Sequence, residues 1–182
     1  VEDDLLLLSR NERKQYNGEY IMLSGLFGFA AGFNPRNRFL KPLTLVHGPV
    51  PEYKRDLQSQ MNKFLAHLKP YALANRVNYT FQNHDMLYAQ KKFTDSRARS
   101  LDELHGGKDV HYRSERQTLT KFSTPNGSDT IVFGVRTYLW NFRDQWLANN
   151  FYNQPHIIDE LERAISDMNH ILGTYKGRDE WG

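Results

Sequence analysis

Three polar residues at alternating positions are the first candidates for binding or catalysis. Arg113, Glu115 and Gln117 fall on one face of a predicted strand, because successive side chains of a strand point to opposite faces. The next residue on that face, Leu119, is apolar. A guanidinium, a carboxylate and a carboxamide can pair with charged ligands and orient them by hydrogen bonding. The face that carries them is therefore either exposed to solvent or part of a polar pocket.

A predicted β-hairpin positions these residues. Its first strand, 112–119, is followed by a turn at 125–128 with the sequence Pro-Asn-Gly-Ser, and then by a second strand at 130–138. Asn-Gly is a strong signal of chain reversal, and the second run is rich in β-branched and aromatic residues, as strands are. An unpaired buried charge is costly, so we expect Arg113 and Glu115 to partner each other or a ligand.

A third predicted strand, 76–81, presents similar chemistry. Arg76 and Asn78 share one side of it and alternate with apolar residues. As on the hairpin, this polar side is either exposed to solvent or part of a polar pocket. Packing in the core or against a cofactor is the simplest interpretation of the apolar neighbours on these strands: Val77, Tyr79, Phe133 and Val135.

Length, composition and charge limit the class of protein. A chain of 182 residues fits a single domain. Its 24 basic and 21 acidic residues leave a net charge of only +3, and the basic residues are scattered, which argues against nucleic-acid binding. No run approaches the ~20 apolar residues of a membrane-spanning helix, so we expect no membrane association.

The chain contains no cysteine. This excludes a disulfide framework, a zinc–thiolate site, an iron–sulfur cluster bound by this chain and a cysteine nucleophile. A reducing compartment is compatible with that composition, and we favour a cytoplasmic location. Glycosylation sequons begin at Asn78, within a predicted strand, and at Asn126, within a predicted turn. The second of them leaves secretion open.

Hydrophobic periodicity predicts the remaining elements. Residues 5–8 form a short strand buried on both faces, and a reversal at 11–18 leads to another strand at 19–24. A helix of about 16 residues ends before Pro70. The apolar stripe of this helix comprises Tyr53, Leu57, Met61, Phe64, Leu65 and Leu68.

A long loop and a closing helix complete the predicted elements. Residues 91–109 are charged and aperiodic and are typical of a mobile loop or lid. Residues 155–172 form a closing helix, with Gly173 just past its end. Five strands in this order, with a helix before the third, predict an α+β fold in which helices pack on one face of an antiparallel sheet. This is the element order of a PAS-like fold.

Five short strings, in order over nearly the whole chain, resemble the signature of the haem-dependent oxidative N-demethylase family, α-subunit type. The resemblance implies a single PAS-like domain over 1–182 that carries haem b, with a leading part of the family domain absent before Val1. It also implies oxidation of a small N-methylated amine with O₂ and with electrons from a partner reductase. The strings are VHGPVPEY at 46–53, RVNY at 76–79, RSERQTL at 113–119, VRTY at 135–138 and YKG at 175–177.

The resemblance implies specific roles for residues in these strings. His47 is the implied ligand of the haem iron. The other implied cofactor-binding residues are Val50, Tyr53, Arg76 and Asn78. Catalytic roles are implied for Arg113, Glu115, Gln117 and Arg136. Either of the two arginines can pair with a haem propionate or polarise bound oxygen, the carboxylate can hold an ammonium group, and the carboxamide can orient either partner.

On the residues alone, His47 is a less specific candidate. A single histidine near the start of a helix is more often a cap, a packed polar residue or a surface residue than a metal ligand. The alternatives are His67, His84, His105 and His111, among which His67 is the chief rival because it lies near the apolar stripe of the long helix. No His-x-x-His or carboxylate-bridge spacing suggests a non-haem metal site.

The source of electrons is a further expectation. The chain has neither cysteines for an iron–sulfur cluster nor a Gly-x-Gly-x-x-Gly turn for a dinucleotide. We therefore expect a separate redox partner that carries a flavin or an iron–sulfur cluster. Two other functions on the same scaffold stay open: a sensor of haem, gas or a small ligand, and an interaction domain without a cofactor.

Overall fold

The computed structural model describes residues 3–10, 18–90, 108–123, 125, 128–176 and 178. The strands of this part of the chain are β1 (Asp3–Arg10), β2 (Tyr20–Leu26), β3 (Leu73–Gln82), β4 (His111–Ser123) and β5 (Asp129–Asn141). Its α-helices are α1 (Leu43–Val46), α2 (Gln58–His67), α3 (Pro155–Ser166) and α4 (His170–Lys176). The predicted lid at 91–109 lies outside the described residues up to 107, as do His105, Asn126 and most of the predicted reversal at 11–18.

The five strands form one antiparallel sheet in the order β2-β1-β5-β4-β3. This confirms the predicted α+β class with a five-stranded antiparallel sheet. The predicted hairpin is its longest pair, in which β4 and β5 are in register from His111 opposite Asn141 to Ser123 opposite Asp129. Both strands are longer than the sequence pattern indicates, because hydrogen bonding across the pair continues through residues without strand periodicity.

The hydrophobic core lies between α1, α2 and one face of the sheet, which we call the inner face. Burial of apolar side chains there is the main stabilising contribution to such a fold. We call the opposite side the outer face. The buried core residues come from both layers: Leu6, Leu8, Tyr20, Met22, Leu43, Tyr53, Leu65, Leu119 and Ile131.

The prediction that residues 5–8 are buried on both faces is wrong. Leu6 and Leu8 point to the inner face and are buried, whereas Leu5 is 37% exposed. Leu5 points to the outer face, where Leu73 and Val77 are also exposed. A run of four leucines therefore forms a strand with only one buried face.

The predicted long helix is present but begins with a π-helical turn at Tyr53–Leu57, which continues into α2. The Gln58 amide donates to the Tyr53 carbonyl, a step of five residues instead of four. The extra residue shifts the helical phase, so that Gln58, rather than Leu57, lies on the same side of the helix as Tyr53 and the fully buried Leu65. Leu57 and Phe64, both assigned to the stripe, are 44% exposed as a result.

The prediction of one closing helix over 155–172 is also wrong, because the chain breaks it into α3 and α4. Asn169 starts the second helix, since its Oδ1 accepts a hydrogen bond from the Leu172 amide at 2.8 Å. Arg178 NH1 donates to the Met168 carbonyl at 2.5 Å and stabilises the corner. Gly173 consequently lies inside α4 rather than after its end.

Aromatic residues cover one end of the outer face. Trp146, in the π-helical turn Phe142–Trp146, stacks on the Phe142 ring at 5.1 Å and on the Tyr152 ring at 5.2 Å. Its ring also lies 5.9 Å from that of Tyr112 on β4. Within the described part of the chain, no helix has the length and hydrophobicity needed to cross a membrane.

Candidate functional site

Strand register brings together the polar residues that the sequence predicts on β3 and β4. Arg76 lies opposite Gln117, and Asn78 lies opposite Glu115. They point to the inner face, on the same side of β4 as the core residue Leu119. This face is not an open solvent face at Arg113 and Gln117, which are both buried, whereas Arg76 at its edge is exposed. We define the polar cluster as Arg76, Asn78, Arg113, Glu115 and Gln117.

Glu115 is the central acceptor of the polar cluster. Its Oε1 accepts a hydrogen bond from Arg113 Nε at 3.1 Å, and its Oε2 accepts from Asn78 Nδ2 and Gln117 Nε2, each at 3.3 Å. Gln117 Oε1 accepts in turn from Arg76 Nε at 2.7 Å. The Glu115 side chain remains 19% exposed. Three donors therefore orient a carboxylate that is still partly accessible.

Arg113 ties the polar cluster to neighbouring loops. Its side chain is 1% exposed, its NH1 donates to the Leu87 carbonyl at 3.0 Å, and its NH2 donates to the Phe29 carbonyl. Asp4 on β1 lies near this guanidinium and accepts from the Phe29 amide at 3.0 Å. With its donors used by protein groups on several sides, Arg113 is placed to position Glu115 rather than to contact a ligand.

Lys176, at the end of α4, contacts the polar cluster, although the sequence predicts no role for it. Its Nζ donates to Asn78 Oδ1 at 2.5 Å and to the Tyr79 carbonyl at 2.8 Å. Thr80 Oγ1 donates to the Lys176 carbonyl at 3.2 Å. The string at 175–177 is the one signal that marks this position, because a contact across 98 residues leaves no local pattern.

Electrostatics link α4 to Glu115. Burial lowers the pKa of Lys176, while the charge of Glu115 raises it and that of Arg76 lowers it further. Burial raises the pKa of Tyr175, and Glu115 adds to that effect. Arg76 and Lys176 therefore both lie within electrostatic range of Glu115.

His47 has the protonation state of a metal ligand. It follows α1, and its Nδ1 lies 2.9 Å from the Leu43 carbonyl. A carbonyl only accepts, so Nδ1 carries the proton and Nε2 keeps its lone pair. Burial lowers the pKa of His47, the bond to Leu43 opposes this, and the charges of Arg76 and Arg38 lower it further. The imidazole is therefore neutral at pH 7, with a nitrogen able to bind a metal.

Tyr53 packs against His47 in the first turn of the long helical segment. The two rings are stacked, with centroids 4.4 Å apart and an angle of 12° between their planes. Burial raises the pKa of Tyr53 to about 12, and the charge of Glu19 adds to this. Its buried hydroxyl has no hydrogen-bond partner among the described residues. Such a group costs free energy, which an acceptor on a ligand would offset.

Each of the other described histidines has a different environment. His67 is exposed at the end of α2, with Nδ1 2.8 Å from the Lys63 carbonyl. His84 is buried, but its Nδ1 lies 3.1 Å from the donor Nε2 of Gln82. His111, at the start of β4, resembles His47 in being partly buried with its Nδ1 3.1 Å from a carbonyl, that of Asp109. Within the described chain, no group of three or more His, Asp or Glu side chains is arranged to hold a metal ion.

The remaining predicted site residues divide between the two faces of the sheet. Val50 is partly buried and packs against the core beside Tyr53. Arg136 lies directly opposite Arg116 on β4, and both point to the outer face. The structure thus brings His47, Val50 and Tyr53 to the inner side together with the polar cluster, and does not bring Arg136 there.

Comparison with known protein families matches residues 1–182 to the family described as haem-dependent oxidative N-demethylase, alpha subunit-like. The match covers the whole chain, including the residues of the polar cluster, His47 and Lys176. No curated protein matches the chain.

Proposed function

We propose that this chain, which belongs to the haem-dependent oxidative N-demethylase, alpha subunit-like family, binds haem b through His47 and oxidises a small N-methylated amine with O₂. The observation that carries the proposal is the neutral His47 imidazole, whose Nδ1 donates to Leu43 and whose Nε2 keeps its lone pair. Neutral imidazole is a usual axial ligand of haem iron, and the chain has no cysteine to take that role.

The residues around His47 fit a haem. Its macrocycle is flat and apolar and would pack against Val50, Phe133 and Val135, which border the core. Its two carboxylates would pair with Arg76 and Lys176, which lie near Glu115 on the inner face. When bound, haem supplies an iron that activates O₂. The PAS-like assignment of the sheet rests on the family resemblance and the order of its elements.

Glu115 and Gln117 are the groups we assign to the amine. Glu115 is oriented by three donors and is partly accessible, so it can accept a hydrogen bond from an ammonium or amine N–H. Gln117 is fixed on both ends of its carboxamide, between Arg76 and Glu115. In the overall reaction the methyl group leaves as formaldehyde. One oxygen atom of O₂ ends in the formaldehyde and the other is reduced to water by two electrons and two protons, and the amine is released with an N–H in place of its N–CH3 bond.

The electrons come from a separate flavin- or iron–sulfur-containing reductase. This chain has no cysteine that could hold an iron–sulfur cluster. Turnover of an amine by the purified chain with NADPH alone, without any added reductase, would contradict this part of the proposal.

The decisive experiment is haem reconstitution of the purified full chain. We expect a Soret band from the wild type, loss or displacement of the band in His47→Ala, and an unchanged band in the matched control His67→Ala. The control removes an exposed histidine from the neighbouring helix. No Soret band from the wild type, or the reverse pattern between the two variants, would refute haem ligation by His47.

A second measurement separates an enzyme from a sensor. With an added reductant, an enzyme releases formaldehyde in proportion to the N-methylated amine consumed. A sensor binds haem or ligand with a spectral change but without turnover. We expect Glu115→Gln to lower formaldehyde release while the Soret band persists, since this residue is assigned to the amine and not to the iron.

A further inference from the structure

We propose that the outer face of the sheet is the docking surface for an acidic electron-transfer protein, centred on Arg116 and Arg136. This inference rests on the proposed function for the identity of the partner, but the surface is defined independently of it. The outer-face patch consists of Asp3, Leu5, Leu73, Val77, Arg116, Thr118, Thr120, Val132, Gly134, Arg136 and Tyr138.

Two arginines face each other at the middle of this patch. Arg116 and Arg136 are directly opposite on β4 and β5, and like charges in that position destabilise a sheet. Asp3 lies opposite Arg136 on the next strand. Together, the two arginines and this aspartate form a cross-strand row that keeps a net positive charge. Carboxylates of a docked partner would form charge-assisted hydrogen bonds with the guanidinium groups of this pair.

Apolar side chains surround the charged row. Leu73 is 67% exposed, Val77 is 65% exposed, and Leu5 and Tyr138 are each 37% exposed. Arg136 also lies 5.8 Å from the Tyr138 ring centroid, which keeps its guanidinium over this face. Tyrosine and arginine beside exposed aliphatic residues form the composition typical of protein-binding surfaces.

A shallow trough crosses the patch beside the arginines. Gly134 and Thr118 are cross-strand partners at its floor, and Leu73 and Thr120 lie along its border. A Cβ atom built at Gly134 would lie 2.8 Å from Thr118 Oγ1. The absence of a side chain there therefore keeps the trough open, so that a protruding segment of a partner can reach the arginines.

The location suits electron transfer. Arg116 follows Glu115 in the sequence, and Arg136 follows Val135, so the patch and the polar cluster use opposite sides of the same two strands. A partner docked on the outer face would be separated from the inner face by the thickness of one sheet. Transient redox complexes also use small interfaces, so a partner need not cover more of the chain than the outer-face patch.

The test uses a plant-type [2Fe–2S] ferredoxin, an acidic redox protein, as the probe. Its binding to the full chain is measured by titration calorimetry at low and high ionic strength, with and without haem. We expect weak binding that decreases with salt, and a loss of at least about tenfold in affinity in Arg116→Glu/Arg136→Glu. The control Lys54→Glu/Lys63→Glu makes the same change in net charge at exposed positions on the helical side, and we expect it to change affinity by less than about twofold.

Several results would overturn the proposal. Absence of ferredoxin binding, equal loss of affinity in both double variants, or no loss in either would exclude this surface as a docking site for acidic proteins. A wild-type dimer that becomes monomeric in Arg116→Glu/Arg136→Glu, seen by sedimentation, would assign the surface to a second copy of this chain. If ferredoxin binding depends on the arginines but no Soret band forms, the docking surface stands and the proposed haem function fails.

Discussion

At the scale of single residues, Arg113 connects the polar cluster with the loops that border it. Its guanidinium is buried, donates to two backbone carbonyls and pairs with Glu115. Removing a buried charge leaves its partners without donors, and the cost of an uncompensated buried charge exceeds the value of the bond itself. The residue is therefore required by the fold of the site, whatever ligand the site binds.

We expect Arg113→Met to lower the free energy of unfolding by about 3–5 kcal/mol. The variant leaves Glu115 and the carbonyls of Leu87 and Phe29 without their donor. Urea denaturation followed by circular dichroism measures the change. The control Arg116→Met removes the same group from an exposed position three residues later and should stay within about 0.5 kcal/mol of the wild type. Equal effects of the two variants would contradict the structural role of Arg113.

The lowered pKa of His47 gives a dependence of stability on pH. Burial disfavours its charged form, so the folded-state pKa lies below the ordinary value of 6.5. Between the two values the unfolded chain binds more protons, and stability therefore rises with pH in that window. The destabilisation caused by protonating His47 is fully present below its folded-state pKa and vanishes above its unfolded-state pKa.

His47→Asn should accordingly flatten the rise in unfolding free energy as the pH increases towards 6.5. Denaturation midpoints measured at a series of pH values report this slope. An NMR titration of the His47 ring in the wild type should give a midpoint below 6.5. A midpoint at or above 6.5 would mean that the imidazole is not in the neutral, buried state that haem binding requires.

At the scale of secondary-structure elements, Lys176 connects α4 to β3. Lys176 donates to the Asn78 side chain and the Tyr79 carbonyl, and Thr80 donates to the Lys176 carbonyl. Only Gly173 is buried within this seven-residue helix. A short helix has little stability of its own, so it depends on tertiary contacts such as these.

Replacing Lys176 by Met should therefore loosen α4 without unfolding the sheet. Amide hydrogen exchange followed by mass spectrometry should show faster exchange in peptides covering 170–176, while β4 and β5 keep their protection. Lys69→Met serves as a control, because Lys69 is exposed between α2 and β3. If exchange accelerates throughout the molecule, Lys176 supports the whole fold rather than α4.

At the scale of the whole molecule, the two faces of one sheet have different roles. Helices and apolar side chains cover most of the inner face, and aromatic residues around Trp146 cover one end of the outer face. On the rest of the outer face, the exposed Arg116 and the partly exposed Arg136 lie beside exposed aliphatic side chains. A cofactor on one side and a redox partner on the other would both be in contact with β4 and β5.

Ligand linkage provides a test on this scale. A ligand that binds only the folded state at 100 times its Kd adds about 2.7 kcal/mol of stability. For a chain of this size that corresponds to a rise of about 5–10 °C in Tm. We expect excess haem to produce such a rise in the wild type and little in His47→Ala. Equal rises in both proteins would indicate haem adsorption that does not involve this histidine.

The hairpin and the alternation of its side chains could be predicted from the sequence. Strand periodicity and the Asn-Gly turn identify the hairpin, and a period of two places Arg113, Glu115 and Gln117 on one face. The family strings indicate His47 and Arg76. These features follow from local chain geometry, which neighbouring residues specify.

Which of these groups meet could not be predicted, because it depends on tertiary contacts. Burial of the polar face depends on segments far away in sequence, and the register of the hairpin places Arg136 on the opposite face from Arg113. A shift of one residue in that register would have exchanged the two sides of the sheet. The contact of Lys176 with Asn78 and the break between α3 and α4 likewise arise from interactions that local periodicity does not contain. The sequence therefore specifies the chemistry available to this protein, whereas long-range packing determines which residues share a site.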